Sequence, residues 1–382
     1  MKEISKLRSF IENRDFAGYD PYDALNSPLV RLLTLNTKIG RICWTQFFRR
    51  SPVNLRPLLG IAKGHNPKAL GLFLEGYAKL YGISADESLL PLVDRLLYLL
   101  EQTRSRGGSG NAWGYNFDWQ SRAAFVPAYT PTIVNTAFIG HALLTCYRHT
   151  GKNLALELAK SIPEFMRNDL NRKQESDTFC FSYTPQDHNY VHNANMLGAS
   201  LLIRLSHRLG DAKLCDPALA SLAYSMNCQH ADGSWYYAET PYQKWIDSFH
   251  TGFNLEALRH FLWLQEARQY REAYEKGVEY YANNFFLEDG TPKYYNNSVY
   301  PIDIHCPTQA VSFFSAEGDS YSELTGRVHD WLLGNMWDNQ GYFYFRKGRL
   351  LTNKIPYIRW AEAWGFRALT EYYFQNGTCG EC

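Results

Sequence analysis

The chain has 382 residues, and its 39 Lys and Arg nearly balance its 38 Asp and Glu, which leaves a formal net charge of +1. So small a net charge provides no long-range field toward nucleic acid or an anionic membrane, and we predict neither as a partner. Hydrophobic residues make up 45% of the chain and charged residues 20%, which excludes a disordered protein and predicts a buried core. The 27 Tyr outnumber the 22 Phe, and such rings with polar tips favour a wet cleft.

Targeting signals and cysteine usage predict a cytoplasmic protein. The N-terminal sequence lacks the apolar region of a secretory signal, and no apolar run is long enough for a transmembrane helix. Most of the eight cysteines are scattered singly through apolar segments, which is typical of reduced cytosolic thiols. The exception is the pair Cys379 and Cys382, which we interpret as part of a flexible tail over 376–382.

Glycines that follow helical runs mark a repeated unit. Their successive spacings are 69, 59, 108 and 59 residues, and the long interval is about twice the unit, so six equivalent units are predicted. These glycines are Gly82, Gly151, Gly210, Gly318 and Gly377.

Each unit is predicted to contain two helices. The first helix is apolar on all sides, as expected of a helix that is buried all round, and the second is amphipathic, so it faces solvent on one side. The apolar helices lie near 67–82, 131–149, 191–209, 248–268, 304–316 and 356–374. The amphipathic helices lie near 87–104, 153–169, 214–229, 271–285 and 319–336, and the segment 27–49 is predicted to supply the sixth.

A short aromatic segment precedes each apolar helix from the second unit onward. Turn sequences precede three of these segments, and a turn followed by aromatic residues indicates a small β-excursion. The segments are 113–117, 179–183, 235–237, 294–295 and 342–345.

Six inner and six outer helices in alternation predict an all-α fold, an (α/α)6 toroid with short β-excursions at one mouth. A linear array would need polar caps, and segment 27–49 is too apolar to be one. We predict one toroid domain over residues 1–382, with 1–26 as an N-terminal extension. The loops that enter the inner helices then gather at one mouth, together with the inner-helix N-termini.

The residues predicted at that mouth include imidazole, carboxylate and guanidinium groups. Asp247 and Asp303 also fit simple N-caps, and the two histidines also fit core residues. A buried Arg359 needs a carboxylate, which is either Glu362 three residues later or a carboxylate of the substrate. The candidate catalytic residues are His250, His305, Asp247, Asp303, Arg359 and Glu362.

Aromatic and amide side chains near the same loops are candidate substrate-binding residues, because aromatic rims stack on the apolar faces of sugar rings. No metal-ligand spacing and no nucleophile elbow is present, so we predict neither a metal nor an organic cofactor. The candidates are Trp113, Tyr115, His192, Asn193, Trp235, Tyr237, Trp245, Tyr357 and Trp360.

Two segments carry a resemblance to known proteins. The segment 354–364, Lys-Ile-Pro-Tyr-Ile-Arg-Trp-Ala-Glu-Ala-Trp, resembles the last inner helix of the six-hairpin toroid superfamily, which includes unsaturated glucuronyl hydrolases and sugar 2-epimerases. The opening Gly-Tyr-Asp-Pro-Tyr-Asp at 18–23, with the aromatic repeats, is similar to VpsJ-type accessory proteins of exopolysaccharide clusters. Sugar 2-epimerases use paired histidines as acid and base, and the resemblance implies that role for His250 and His305.

A second resemblance competes with the first. The segment 229–235, Gln-His-Ala-Asp-Gly-Ser-Trp, matches the QxxDGxW repeat of triterpene cyclases and prenyltransferase-like toroids, where the repeat is structural. The aspartate-rich signatures of terpene chemistry are absent from this sequence, which makes a cyclase the least favoured of the alternatives.

The favoured hypothesis is a carbohydrate-active enzyme that acts on a polysaccharide or glycan precursor in exopolysaccharide metabolism, beside glycan-synthesis machinery. Proton abstraction next to a uronate carboxylate would use a histidine base with Arg359 as the neutralising cation. Hydrolysis would instead use two of the three carboxylates, and the sequence leaves both schemes open. The alternative from another class is a non-catalytic glycan-binding or scaffold protein.

Overall fold

The computed structural model describes residues 1–120 and 125–376. Helices dominate these residues. In chain order they are α1 Lys2–Glu12, α2 Pro28–Leu33, α3 Lys38–Arg50, α4 Pro67–Ser84, α5 Leu90–Gln102, α6 Ile133–Thr150, α7 Asn153–Lys160, α8 Ile162–Asn168, α9 His192–Leu209, α10 Cys215–Met226, α11 Ser248–Arg259, α12 Arg271–Asn284, α13 His305–Ser315, α14 Ser322–Met336 and α15 Ala363–Gln375.

Six helices, α4, α6, α9, α11, α13 and α15, form the predicted inner ring. Each packs on the next in this order, and α15 packs back on α4, so the ring closes. The sequence explains why these helices are inside: in α4, every residue from Pro67 to Leu80 is buried. Small residues allow close approach, since a Cβ added at Gly71 would lie 2.9 Å from the Ile139 side chain of α6.

The outer layer consists of amphipathic helices. In α5, one face buries Val93, Leu96 and Leu100 while the other remains in solvent. The helices α10, α12 and α14 pack on α9, α11 and α13, and α7 packs on α6.

The prediction that segment 27–49 supplies the sixth outer helix is wrong. Helix α1 packs on α15 instead, and its Ile4, Leu7 and Ile11 are buried in the main core. Helices α2 and α3 form a small separate cluster around Val30 and Phe48. The apolar residues of segment 27–49 misled the prediction because many of them are exposed in the structure.

Two helices end at the predicted glycines, and two others end at residues that differ from the predicted bounds. Gly151 and Gly210 end α6 and α9 in the left-handed conformation, both at φ +68°, as predicted. Helix α4 runs past Gly82 to Ser84, and α11 ends at Arg259 rather than near 268. A π turn over Ile358–Glu362 leads into α15. Three sequence predictions, on Gly377, Cys379 and Cys382, lie outside the described residues.

Within residues 1–120 and 125–376, nine short strands form the β-excursions, and all their pairings are antiparallel. In the longest hairpin, Arg172 pairs with Phe181 and Glu175 with Thr178. The aromatic segments at 179–183 and 342–345 contribute strands as predicted, whereas 113–117 and 235–237 contain none. The strands are β1 Trp119–Gln120, β2 Phe125–Val126, β3 Arg172–Glu175, β4 Thr178–Phe181, β5 Ile302–Asp303, β6 Trp337–Asp338, β7 Tyr342–Phe343, β8 Arg346–Lys347 and β9 Thr352–Asn353.

Strands and loops meet at the end of the ring where the inner helices begin. The sheet β5–β8–β9 joins the entry of α13 to the chain that precedes α15. No helix in the described ranges is both long and apolar enough to cross a bilayer.

Candidate active site

An aspartate orients a histidine at the start of α11. Asp247 is the N-cap of this helix, and its Oδ1 accepts a hydrogen bond of 3.0 Å from the backbone N–H of His250. Its Oδ2 lies 2.7 Å from Nδ1 of His250 and also accepts from Nε1 of Trp245 at 3.0 Å. Because the buried carboxylate holds the proton on Nδ1, Nε2 of His250 is left as the free lone pair of the neutral ring.

The next inner helix, α13, begins with a similar pair. Asp303 is fully buried, and its Oδ1 lies 3.2 Å from Nδ1 of His305 and accepts from Nε1 of Trp360 at 2.7 Å. Its Oδ2 accepts from Arg346 at 2.7 Å. Burial opposes ionisation of Asp303, but the Arg346 charge and the His305 bond hold its pKa below the ordinary range.

His305 is neutral at pH 7. Burial lowers the pKa of its imidazole to about 4, although the Asp303 carboxylate acts in the opposite direction. The N-cap and core-histidine interpretations of these residues are therefore partly right. Asp247 caps α11, and Asp303 accepts a hydrogen bond from the backbone N–H of His305 in the first turn of α13. Each carboxylate also orients an imidazole.

Aromatic rings form the surface between the two histidines. The Phe249 ring centroid lies 4.4 Å from that of His250 and 5.3 Å from that of His305. The Trp364 ring lies 5.0 Å from His305 and stacks on Phe253 at 5.2 Å. The two imidazoles thus share one apolar wall.

A buried lysine lies beside this wall, and the sequence analysis missed it. Lys68, in the first turn of α4, is 5% exposed, and its Nζ lies 4.2 Å from the Phe138 centroid and 5.2 Å from that of Trp364. Within residues 1–120 and 125–376, no carboxylate forms a salt bridge with it. Burial, followed by the charges of Arg359 and Arg367, lowers its pKa well below the ordinary value, which favours the neutral amine.

Arg359 does not pair with Glu362, and that alternative is wrong. Its Nε and Nη2 instead bond both oxygens of Asp20 at 2.6 and 2.8 Å, and both residues are buried. The segment 18–23 therefore does lie at the mouth, where the Tyr22 ring packs on Trp360 at 5.3 Å. Because Asp20 occupies the guanidinium edge bidentately, Arg359 is already neutralised without a substrate carboxylate.

Glu362 is hydrogen-bonded to a strand. It is fully buried and accepts a hydrogen bond of 3.1 Å from the backbone N–H of Phe343 in β7. Burial raises its pKa well above the ordinary value, so the protonated acid is favoured.

The predicted substrate-binding residues divide into a rim and a core. Tyr237 stacks on Trp245 at 4.7 Å and lies 4.7 Å from the His250 ring, and Trp360 lies 4.3 Å from the His305 ring. Asn193 lines a small cavity together with His250. Tyr115 lies under Arg359, with the guanidinium carbon 4.8 Å from the ring centroid.

Trp235 lines the same small cavity as His250 and donates from Nε1 to the carbonyl of Ser225. Trp113 and Tyr357 are buried and bond Leu100 and Arg56, respectively. His192 faces Ser225 and Glu239 rather than the two catalytic candidates. The QxxDGxW segment is a turn, in which Gln229 bonds the carbonyls of Gly233 and Ala273.

A cavity of about 280 Å³ lies at the opposite end of the ring. Its charged wall is internally paired: Glu75 bonds Lys79 at 2.6 Å and Arg367 at 3.0 Å, and these two cations also bond Glu371 and Glu256, respectively. These charges thus each have an opposite partner, whereas Arg204 in the same wall bonds Nδ1 of His141 at 2.7 Å. The network joins α4 to α11 and α15 through Arg367 and Lys79.

No protein-family model and no curated protein matches the chain. A sugar epimerase from a ruminal bacterium is similar in structure, with a TM-score of 0.64, 14% identity, and coverage of 84% of this chain and 90% of that chain. A cellobiose 2-epimerase from Bacillus thermoamylovorans has a TM-score of 0.62 at 13% identity, covering 80% and 88%. A GH76 α-mannanase from Bacteroides thetaiotaomicron has a TM-score of 0.63 at 12% identity, covering 82% and 88%. The chain therefore has the (α/α)6 toroid fold.

Proposed function

We propose that the protein is a carbohydrate epimerase that transfers a proton at the carbon next to the carbonyl of a reducing sugar. One observation carries the proposal: at the shared mouth, two histidines each direct Nδ1 at a buried aspartate and keep Nε2 for proton transfer. The likeness to sugar epimerases supports it at the level of the fold.

The reaction needs one neutral and one protonated imidazole. Nε2 of His305, which is neutral at pH 7, accepts the proton as the C2–H bond breaks, and the electron pair forms an enediolate with its charge on the carbonyl oxygen. Nε2 of His250, which takes up a proton from solvent, then delivers it to the other face of C2, and the C1 carbonyl re-forms. The aspartates stabilise each imidazolium and fix its orientation.

Lys68 has the properties of a donor to the enediolate oxygen. Its amine is buried against the Trp364 ring, which contacts His305, and burial strengthens a hydrogen bond to a developing charge. Mutation of Lys68 is therefore expected to slow proton abstraction more than substrate binding.

The arrangement favours an epimerase over the other schemes of the sequence analysis. Hydrolysis needs two available carboxyl groups, but Asp247 and Asp303 are saturated by donors. A uronate scheme needs a free cation, but Arg359 is paired with Asp20. A neutral reducing sugar fits these groups better than an acidic one.

The biological setting is part of the same proposal. The similarity of segment 18–23 to VpsJ-type proteins supports a role in exopolysaccharide metabolism, with glycan-synthesis enzymes as partners in the cytoplasm. Pull-down from cells that produce the polysaccharide, followed by mass spectrometry, tests this setting separately from the reaction. Recovery of no glycan-synthesis enzyme would contradict the partner assignment.

Proton transfer is tested by incubating the protein with reducing mono- and disaccharides in D2O. We expect deuterium at C2, detected by NMR, together with the 2-epimer. H250N and H305N should each lower the exchange rate by at least about 100-fold, since general acid–base catalysis contributes 10²–10⁴-fold. H207N, at an exposed histidine near the other end of the ring, is the matched control and should retain the wild-type rate.

Two outcomes would contradict the proposal. Binding of the sugars without any exchange would favour the glycan-binding or scaffold alternative. Release of reducing ends from a polysaccharide by wild type but not by H250N would favour a hydrolase.

A further inference from the structure

Three potential metal ligands from separate elements meet beside the mouth. Nε2 of His192, Sγ of Cys228 and a carboxylate oxygen of Glu239 all lie within 4.8 Å of one another. His192 begins α9, Cys228 follows α10, and Glu239 lies in the loop between α10 and α11. Their spacings of 36 and 11 residues match no metal motif, so the sequence analysis predicted no metal here.

The histidine is held as metal-binding histidines usually are. Its Nδ1 lies 3.2 Å from Oγ of Ser225, which in turn accepts from Asn195 at 3.0 Å. A bond at one ring nitrogen fixes the direction of the other, and here Nε2 points at Oε1 of Glu239 at 3.2 Å. Both atoms can present lone pairs, so either a proton or a cation must lie between them.

The position of Cys228 favours a cation, rather than a proton, between His192 and Glu239. The His192–Glu239 bond needs no sulfur, yet Cys228 completes the triangle, and its thiol makes no hydrogen bond within the described ranges. We propose that His192, Cys228 and Glu239 bind a zinc-class divalent cation, whose fourth position is open to water.

The donor set and geometry suit such an ion. Nitrogen, sulfur and oxygen ligands select Zn²⁺ and Co²⁺ rather than Mg²⁺ or Ca²⁺. Bond lengths of about 2.0–2.3 Å place tetrahedral ligand atoms about 3.5 Å apart. The 3.2 Å between Nε2 of His192 and Oε1 of Glu239 is already near that value, and the other two separations, at most 4.8 Å, need to close by no more than about 1.3 Å. The Glu239 side chain is 38% exposed and 3.8 Å from Lys244, and it has room to move.

The cation would brace the loop between α10 and α11. The backbone N–H of His192 already bonds the carbonyl of Tyr237, two residues before Glu239. Tyr237 carries the ring that packs on His250, so the metal would tie one wall of the mouth to α9. The inference concerns binding and does not depend on the proposed reaction.

The test is a Co²⁺ titration of the full chain, without an affinity tag, followed by absorption. The background is C379S/C382S, which removes the other cysteine pair. One equivalent of Co²⁺ should give a thiolate-to-cobalt charge-transfer band, Zn²⁺ should displace it, and C228S should abolish it. C43S, at an exposed cysteine of α3, is the matched control and should keep the band.

Further variants separate ligands from neighbours. S225A should weaken Zn²⁺ binding by about 10–100-fold, the usual effect of losing the group that orients a ligand. E239Q, at a partly exposed side chain, should weaken binding at least tenfold while leaving the circular-dichroism spectrum unchanged. Absence of the band in the C379S/C382S background, or its persistence in C228S, would overturn the proposal.

Discussion

The neutral state of His305 makes a quantitative prediction about stability and pH. Burial lowers the pKa of this imidazole to about 4, against an ordinary value of about 6.5 in the unfolded chain. As the pH falls, the unfolded chain therefore binds a proton first. The stability contribution is complete above pH 6.5 and is lost progressively as the pH falls toward 4.

The magnitude follows from the size of the shift. Each pKa unit corresponds to about 1.36 kcal/mol, so the full loss is about 3 kcal/mol. Between pH 7 and pH 5 the linkage relation gives a loss of about 2 kcal/mol from His305. This value applies to a residue that is 3% exposed, where solvent screening is small.

Urea unfolding of wild type and H305Q at pH 7 and pH 5 measures this contribution. Other groups titrate alike in both proteins, so the wild type should lose about 2 kcal/mol more than H305Q over this interval. His141 provides a second case, since burial and then the neighbouring Arg204 lower its pKa to about 3, and H141Q should behave similarly. A difference below about 0.5 kcal/mol for H305Q would refute the assignment of a neutral, buried imidazole.

The remaining predictions concern three other parts of the molecule. K68M should leave the urea midpoint unchanged or raise it, because the substitution removes a buried amine. The same variant should lower the rate of deuterium exchange at C2, measured by NMR, at least tenfold. Exchange at the wild-type rate would exclude Lys68 from the reaction. Gly151→Ala should lower the free energy of unfolding by about 1 kcal/mol, because Gly151 has a φ of +68°. Gly326→Ala should raise it by about 0.5–1 kcal/mol, because Gly326 lies inside α14 and a Cβ there meets no other atom. Equal effects of the two substitutions in urea unfolding would contradict this account. Ile11→Ala in α1 should cost about 2–5 kcal/mol in the same assay, and a cost below 1 kcal/mol would mean that α1 is not part of the ring's core.

Much of the fold followed from local features of the sequence. Helices that are apolar on all sides indicated the inner ring, glycines marked the ends of α6 and α9, and a turn followed by aromatic residues located β7. These features are local because helical periodicity and capping depend on residues within one or two turns. The same pattern placed Asp247 and Asp303 at helix starts, which is why the two histidines were found.

The partners of buried groups were settled only by tertiary contacts. Arg359 took Asp20, 339 residues away, rather than the carboxylate three residues later. Lys68 was not predicted as a site residue because a single lysine in an apolar helix forms no motif or spacing that indicates a function. The outer position of α1 was missed because segment 27–49 contains as many apolar residues as an outer helix.

The sequence by itself determined that this chain forms helical hairpins in a repeated unit, and that imidazole and carboxylate groups occupy the entries of successive inner helices. The tertiary structure decided which segment completes the outer layer, which carboxylate neutralises Arg359, and which side chains converge at His192. The physical reason is the range of the interactions. Capping and amphipathicity act within a few residues, whereas a buried charge or a metal ligand selects its partner from everything that ring closure brings near.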